Sequence, residues 1–306
     1  MFSSDILQQI LYIIFGASAI VANSILIYVV AKCKELHYNA HILAAALAAT
    51  DFMNGLAFLV SGAYQLDLIL SNDTTTLIPA RQCFYIPSTN LFPIAYHSGS
   101  MMILLIACDR FLSVTATKFY YRLGSKYTGA IIGFMLLYVT GVWSYFTHDT
   151  LAVMPPDRMT TKFCWEANTE PVHLFDYYSA PLFVSVSVVI MIMTLLVLKR
   201  RNLVTIQQNS RTKTNAHRTA INRNKKAARL LALVSVNAFM MWAVPGILIL
   251  IIDAHASDGW LAECAPFLWV LQPLHSATNL LIYFRKGSPY RKAVANLLSP
   301  TAIFKF

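Results

Sequence analysis

Few residues in this chain could do chemistry, and those that could sit where they are costly to place. Asp51 lies inside an apolar stretch, Leu47-Ala48-Ala49-Thr50-Asp51-Phe52. Asn23 and Asn279 lie inside two other apolar stretches, and His97 lies with Ser98 and Ser100 in a fourth. If those stretches cross a bilayer, each ionisable group within them costs about 2.5–3.5 kcal/mol on insertion scales. Lipid offers no hydrogen-bond partners, so such groups must find one another. The chemistry on offer is therefore hydrogen bonding in a polar interior between helices. That interior serves either as glue between helices or as a cluster that changes state, and we carry the second reading. Bond-making chemistry finds no support. His97 has no carboxylate at a readable spacing, no nucleophile motif is present, and no Cys and His cluster has metal-ligand spacing, so no metal site is expected. Asp109-Arg110 closes the third stretch, where Arg110 taken alone reads as a side chain reaching out to the interface.

The elements that would hold these residues follow from composition. The chain is 57% hydrophobic and only 12% charged, whereas soluble domains average roughly 25% charged. The deficit is blockwise. Apolar runs at about 7–31, 41–64, 84–112, 128–147, 175–198, 227–252 and 261–284 alternate with short charged segments. A hydrocarbon core about 30 Å thick needs roughly 20 such residues per helix. The predicted fold class is thus an all-α membrane protein, a bundle of seven transmembrane helices forming a single domain over residues 1–306. No cleavable signal peptide is evident, because the first run is too long for one and no basic segment precedes it. Pro181, Pro245 and Pro273 fall inside runs, where a membrane helix tolerates a kink.

The charge distribution sets the orientation. The net charge is +10, and of the 24 Lys and Arg only Arg81, Arg158 and Lys162 fall in the loops after runs two, four and six. Basic loops stay cytoplasmic, so those three loops and the N-terminus are expected outside and the C-terminus inside. Asp149, Asp157, Glu166, Glu170, Asp253, Asp258 and Glu263 fall on the same proposed outer side. The basic charge reads as contact with the inner leaflet and acidic partners rather than nucleic acid. Asn72-Asp73-Thr74 is a glycosylation acceptor triplet in the first outer loop. The segment 286–298 alternates basic residues with Tyr290, Val294, Leu297 and Leu298, the pattern of an amphipathic surface helix. Cys83, Cys164 and Cys264 face the oxidising side, and their number leaves three pairings open.

From Leu7 to Leu298 the chain resembles a rhodopsin-like G-protein-coupled receptor. Asn23, Asp51, the Asp109-Arg110-Phe111 triplet and Asn279-Leu280-Leu281-Ile282-Tyr283 are similar to that family's motifs of spans one, two, three and seven. Phe replaces the Tyr of Asp-Arg-Tyr, and Leu replaces the Pro of Asn-Pro-x-x-Tyr. Pro181 and Pro245 match the kinking prolines, and Phe239 falls six before Pro245, where the family carries a Phe. There are departures. The family's span-six Trp lies two before the Pro, where this chain has Ala243, with Trp242 one residue off. Lys225 and Lys226 stand where span six usually carries an acid. The combination resembles divergent invertebrate chemoreceptors of the nematode serpentine type.

The resemblance implies a plasma-membrane receptor that binds an extracellular odorant or peptide and activates a heterotrimeric G protein. It implies a switch set of Asn23, Asp51, Asp109, Arg110, Asn279 and Tyr283, and a disulfide between Cys83 and Cys164. Candidate ligand contacts are Phe92, Tyr96, His97, Tyr177, Trp269 and Gln272. Phe92 stands where an amine receptor has its Asp, so a cationic amine is not expected, and run seven has no Lys for retinal. No cofactor is expected. Asp51, Ser276 and Asn279 match the family's sodium site, but Gly99 replaces a span-three Ser. The rival class is a small-solute transporter, which would account for Asp51 and the broken helices but not for seven spans without a repeat.

Overall fold

The computed structural model describes residues 2–36, 38–164, 168–208, 229–230, 232–255, 265, 267–284 and 289–297. Five long helices come first: α1 (Phe2–Lys32), α2 (Asn39–Leu70), α3 (Pro87–Thr115), α4 (Thr117–His148) and α5 (Glu170–Gln208). The sixth span, Ala232–Ile249, contains a π turn at Phe239–Ala243 and runs on into α6 (Val244–His255). Then follow α7 (Leu271–Tyr283) and a short α8 (Pro289–Leu297). Among the described residues six helices are long and apolar enough to cross a membrane. The seventh predicted run is described as α7, which lies against α1 and α2.

The helices outrun the apolar runs that predicted them. α3, at 29 residues, is about 43 Å long, well beyond the hydrocarbon core. α4 begins at Thr117 rather than near residue 128, because its first turns are polar and escape a hydropathy reading. It is bent at Gly124, whose φ of +60° suits glycine alone without strain. The third run was expected from residue 84, but α3 starts at Pro87, and Ala80–Tyr85 form a 3₁₀ segment instead.

Close packing holds the first two helices together. A Cβ on Gly16 would stand 2.7 Å from the Gly55 carbonyl oxygen, and one on Gly55 would stand 2.8 Å from that of Gly16. Only glycine at both positions lets the backbones touch, the usual way for helices to associate where lipid removes the hydrophobic drive. α3 sits at the centre, packed against α2, α4 and α5.

One end of the bundle carries a small covered loop structure. A two-stranded antiparallel ribbon pairs β1 (Leu77–Pro79) with β2 (Met159–Thr161). Cys83 and Cys164 are joined in a disulfide beside it. Lys162 pairs with Asp73, and its ammonium, with the Thr76 hydroxyl second, holds the Asp73 carboxyl below the usual carboxylate range. Asp149 accepts from the Thr169 amide at 2.8 Å and hydroxyl at 2.6 Å, which anchors the entry to α5. Asn72 is exposed in the turn leaving α2. At the opposite end α8 turns back on the bundle, burying Tyr290 and Ala293 while Arg291 and Lys292 remain exposed.

Candidate functional site

Asp51 is 2% exposed, and each of its oxygens accepts a hydrogen bond. Ser276 Oγ donates to its Oδ1 at 3.0 Å, and Asn279 Nδ2 donates to its Oδ2 at 2.7 Å. Both donors come from one face of α7, three residues apart. Asn54, one turn along α2, donates to Ser276 Oγ at 3.1 Å, and Asn23 on α1 donates to the Ser276 carbonyl at 3.1 Å. Span six joins through Asn237, whose amide reaches Thr278 Oγ1 at 3.0 Å and Asn279 Oδ1 at 3.2 Å. Four spans therefore meet in one polar cluster. Asn23 Oδ1 and Asn54 Oδ1 are buried in it with no hydrogen-bond partner among the described residues. Asn54 and Asn237 complete a set of which the sequence singled out Asn23, Asp51, Ser276 and Asn279.

Arg110 is 3% exposed and is held locally. Its guanidinium bonds Asp109 Oδ2 through two nitrogens, Nε at 2.7 Å, and donates to Tyr120 of α4 at 3.0 Å. Lys225 and Lys226 lie outside the described residues. Beside it, Arg201 of α5 donates to the Thr115 carbonyl at 2.9 Å, to the Val114 carbonyl and to Thr117 Oγ1 at 3.3 Å. These are acceptors left open where α3 ends. Tyr283 is buried, with its ring 5.2 Å from that of Tyr290, and its hydroxyl has no partner among the described residues. The Tyr290 hydroxyl meets His41 Nδ1 at 2.7 Å, which ties α8 to α2.

An aromatic group links the disulfide end to the polar cluster. Tyr96 lies 5.3 Å from Trp242 and 6.4 Å from Trp269, ring centre to ring centre, and Tyr177 lies 6.2 Å from Trp269. Phe92 packs edge-on to Phe58 at 4.9 Å, in a patch that Trp269 also borders. Gln272 is buried on the first turn of α7. Trp242 reaches inward to within 5.9 Å of the His275 ring. Its burial answers the one-residue offset noted in the sequence. The π turn at Phe239–Ala243 inserts a residue, so the Trp three before Pro245 faces the core as one two before it would in a regular helix. By the same shift the fully buried place one turn earlier belongs to Ala238, and Phe239 is only half-buried.

His97 goes another way. It follows Tyr96, so it points about 100° around α3, into the seam with α4 and α5. Its Nε2 meets Asp176 Oδ1 at 3.0 Å, and its Nδ1 meets the Tyr138 hydroxyl at 3.1 Å. Phe175 stacks on the ring at 5.1 Å. No carboxylate stood at a readable spacing from His97 in the sequence, and the fold supplies one. The partner is 79 residues away, and only the fold brings it near. Asp176 left one signal, a carboxylate at the start of the apolar run 175–198.

A model of the Srsx serpentine-type seven-transmembrane GPCR chemoreceptors matches residues 14–298. The chain belongs to that family. No match is found among curated proteins. As a serpentine chemoreceptor it is a multi-pass membrane protein with a seven-helix bundle, and the geometry above is the interior of that bundle.

Asp51, Ser276 and Asn279 are the residues that suggested a sodium ion. Ser276 and Asn279 present hydrogen-bond donors to the carboxylate. A Cβ on Gly99 would stand 2.6 Å from the Trp242 ring, so the third span has no room for an oxygen ligand there. Of the six proposed ligand contacts, Phe92, Tyr96, Tyr177, Trp269 and Gln272 belong to one neighbourhood, and His97 belongs to the separate α3–α4–α5 seam.

Proposed function

We propose that this serpentine receptor sits in the plasma membrane with its disulfide end outside and its Arg110 end in the cytoplasm. In this reading a small neutral odorant or a peptide binds among Phe92, Tyr96, Tyr177, Trp269 and Gln272, and a heterotrimeric G protein docks at the opened inner face. The observation that carries it is Trp242, which touches the aromatic group through Tyr96 and approaches the Asp51 cluster through His275. A ligand that moves Trp242 changes the packing on His275, and through it the contacts of Asn279 with Asp51 and Asn237. A ligand shifts such an equilibrium only by its differential affinity for the two states, which suits a pocket floor that itself moves. At the inner face, Arg110 would leave Asp109 and Tyr120 to meet the G protein, while Arg201 restrains α5 against α3. Asn72 would carry a glycan on the outer loop.

The test is nucleotide exchange on a panel of G proteins, with and without mixed neutral odorants, using membranes that carry the wild type or Arg110→Ala. We expect exchange above background that the substitution removes. Exchange that is absent throughout, accompanied by solute flux into vesicles, would replace the receptor reading with a transporter.

A further inference from the structure

The disulfide ends of α1 and α2 carry buried polar side chains that the Asp51 cluster does not use. Gln9 is 3% exposed and Gln65 is 5% exposed, yet Gln9 Oε1 and Gln65 Oε1 have no hydrogen-bond partner among the described residues. The two helices touch beside them. A Cβ on Gly62 would stand 2.9 Å from the Gln9 carbonyl oxygen, and Gln65 follows Gly62 by less than one turn. A buried acceptor left unmet is costly, and lipid cannot supply the missing donor. A third glutamine, Gln8, is also buried, and its Nε2 donates to the Tyr12 hydroxyl at 2.7 Å.

These glutamines adjoin the aromatic group. Tyr12 stands edge-on to Phe58 at 5.0 Å, and Phe58 stands edge-on to Phe92 at 4.9 Å. Trp269 borders the same patch. Gln9 precedes Tyr12 by about one turn of α1, and Gln65 lies about two turns beyond Phe58 on the same face of α2. Each unmet oxygen is thus set just above the aromatic layer, towards the disulfide end. None of these side chains is charged, so a charged ligand finds no counter-ion among them. A ketone, an ester or a hydrocarbon brings no donor and leaves both oxygens unmet. Two acceptors on two helices call for one ligand with two N–H groups on an apolar body. A peptide brings an N–H with each residue. The fit does not depend on which way each glutamine amide is turned. An inverted amide presents its NH₂, and a peptide carries a carbonyl beside every N–H.

We propose that Gln9 and Gln65 recognise the backbone amides of a neutral peptide, whose apolar side chain rests on the layer of Tyr12, Phe58, Phe92 and Trp269. This rests on the receptor reading above and selects the peptide over the odorant. The empty receptor keeps two unmet oxygens, and the ligand supplies their donors.

The test uses the full chain in phosphatidylcholine nanodiscs without G protein, so it is decided apart from the exchange experiment. The probe is N-acetylphenylalanine methylamide, whose two N–H groups flank one aromatic side chain, with binding read by saturation-transfer NMR. Its form methylated on both nitrogens cannot donate and should bind about tenfold more weakly. N-Benzylacetamide, a small amide with one N–H, should also bind about tenfold more weakly. Gln9→Leu and Gln65→Leu should each weaken the probe about tenfold. Each should also raise the unfolding temperature of the empty receptor by about 2 °C, because it removes an unmet buried oxygen. Glutamines that merely hold the helices together through water would lower that temperature when replaced, and this result would overturn the proposal. So would equal binding of the methylated form, or tighter binding of N-benzylacetamide. Binding that is lost in Trp269→Ala but indifferent to both glutamine substitutions would leave the aromatic site standing and overturn the glutamine one.

Discussion

Two carboxylates sit within the helical bundle on opposite terms. Asp51 is enclosed, and each of its oxygens receives a donor from α7. Asp176 stands at a seam, more than a third exposed, with His97 on one oxygen. The first is bound into the contacts of four spans, so its bonds change only when those spans shift together. The second belongs to a chain of side chains that runs through His97 to Tyr138. The difference teaches that a polar group in a membrane bundle can be committed or available, and that its exposure and the number of spans it joins tell which.

The strongest break of this comparison would come from truncating each acid in turn. Asp51→Ala leaves the Ser276 hydroxyl and the Asn279 amide buried without their acceptor. At roughly 1–3 kcal/mol for each unsatisfied group, a loss on the order of 2–6 kcal/mol is expected. Asp176→Ala, at a half-exposed site, should cost about 1 kcal/mol or less. Thermal unfolding in detergent measures both, and equal losses would erase the distinction. A finer probe is the double-mutant cycle of His97→Phe with Asp176→Ala. Residues in direct contact should couple by about 0.5–1.5 kcal/mol, while His97→Phe paired with Asp51→Ala should add independently. The smallest effect belongs to Asp73, outside the spans. Lys162 lowers its folded value, so its contribution is present above the ordinary carboxylate range and is lost only as the pH falls through that lowered value. Protection factors of the β1–β2 ribbon amides, corrected for intrinsic exchange at each pH, should therefore be unchanged from pH 7 to pH 5 and fall in stronger acid. In Asp73→Asn that acid step should vanish.

How legible each region was follows from how its residues are spaced. The spans announced themselves as apolar runs, because lipid demands a continuous stretch. Asp51 and Asn279 stood out as polar residues within such runs. His97 and Asp176 did not read as a pair, since nothing local links positions 79 apart on different helices. Tyr138 and Arg201 were invisible for the same reason. Trp242 was misplaced for another. Counting back from Pro245 assumes a constant number of residues per turn, and the π turn at Phe239–Ala243 breaks that assumption. The Thr117 end of α4 and the Gln208 end of α5 ran past their predicted bounds because hydropathy reports the membrane, not the helix.

The contact between Gly16 and Gly55 has a consequence for how the receptor is made. α1 and α2 follow each other closely in the chain, and their Gly16–Gly55 contact needs nothing supplied later, although Asn23, Asp51 and Asn54 wait for α7. As synthesis proceeds from the N-terminus, this hairpin is complete before α3 leaves the ribosome. It can serve as the template on which the remaining spans assemble. Damage to either glycine would then be met by the quality control of the cell during biogenesis, long before any odorant could reveal it.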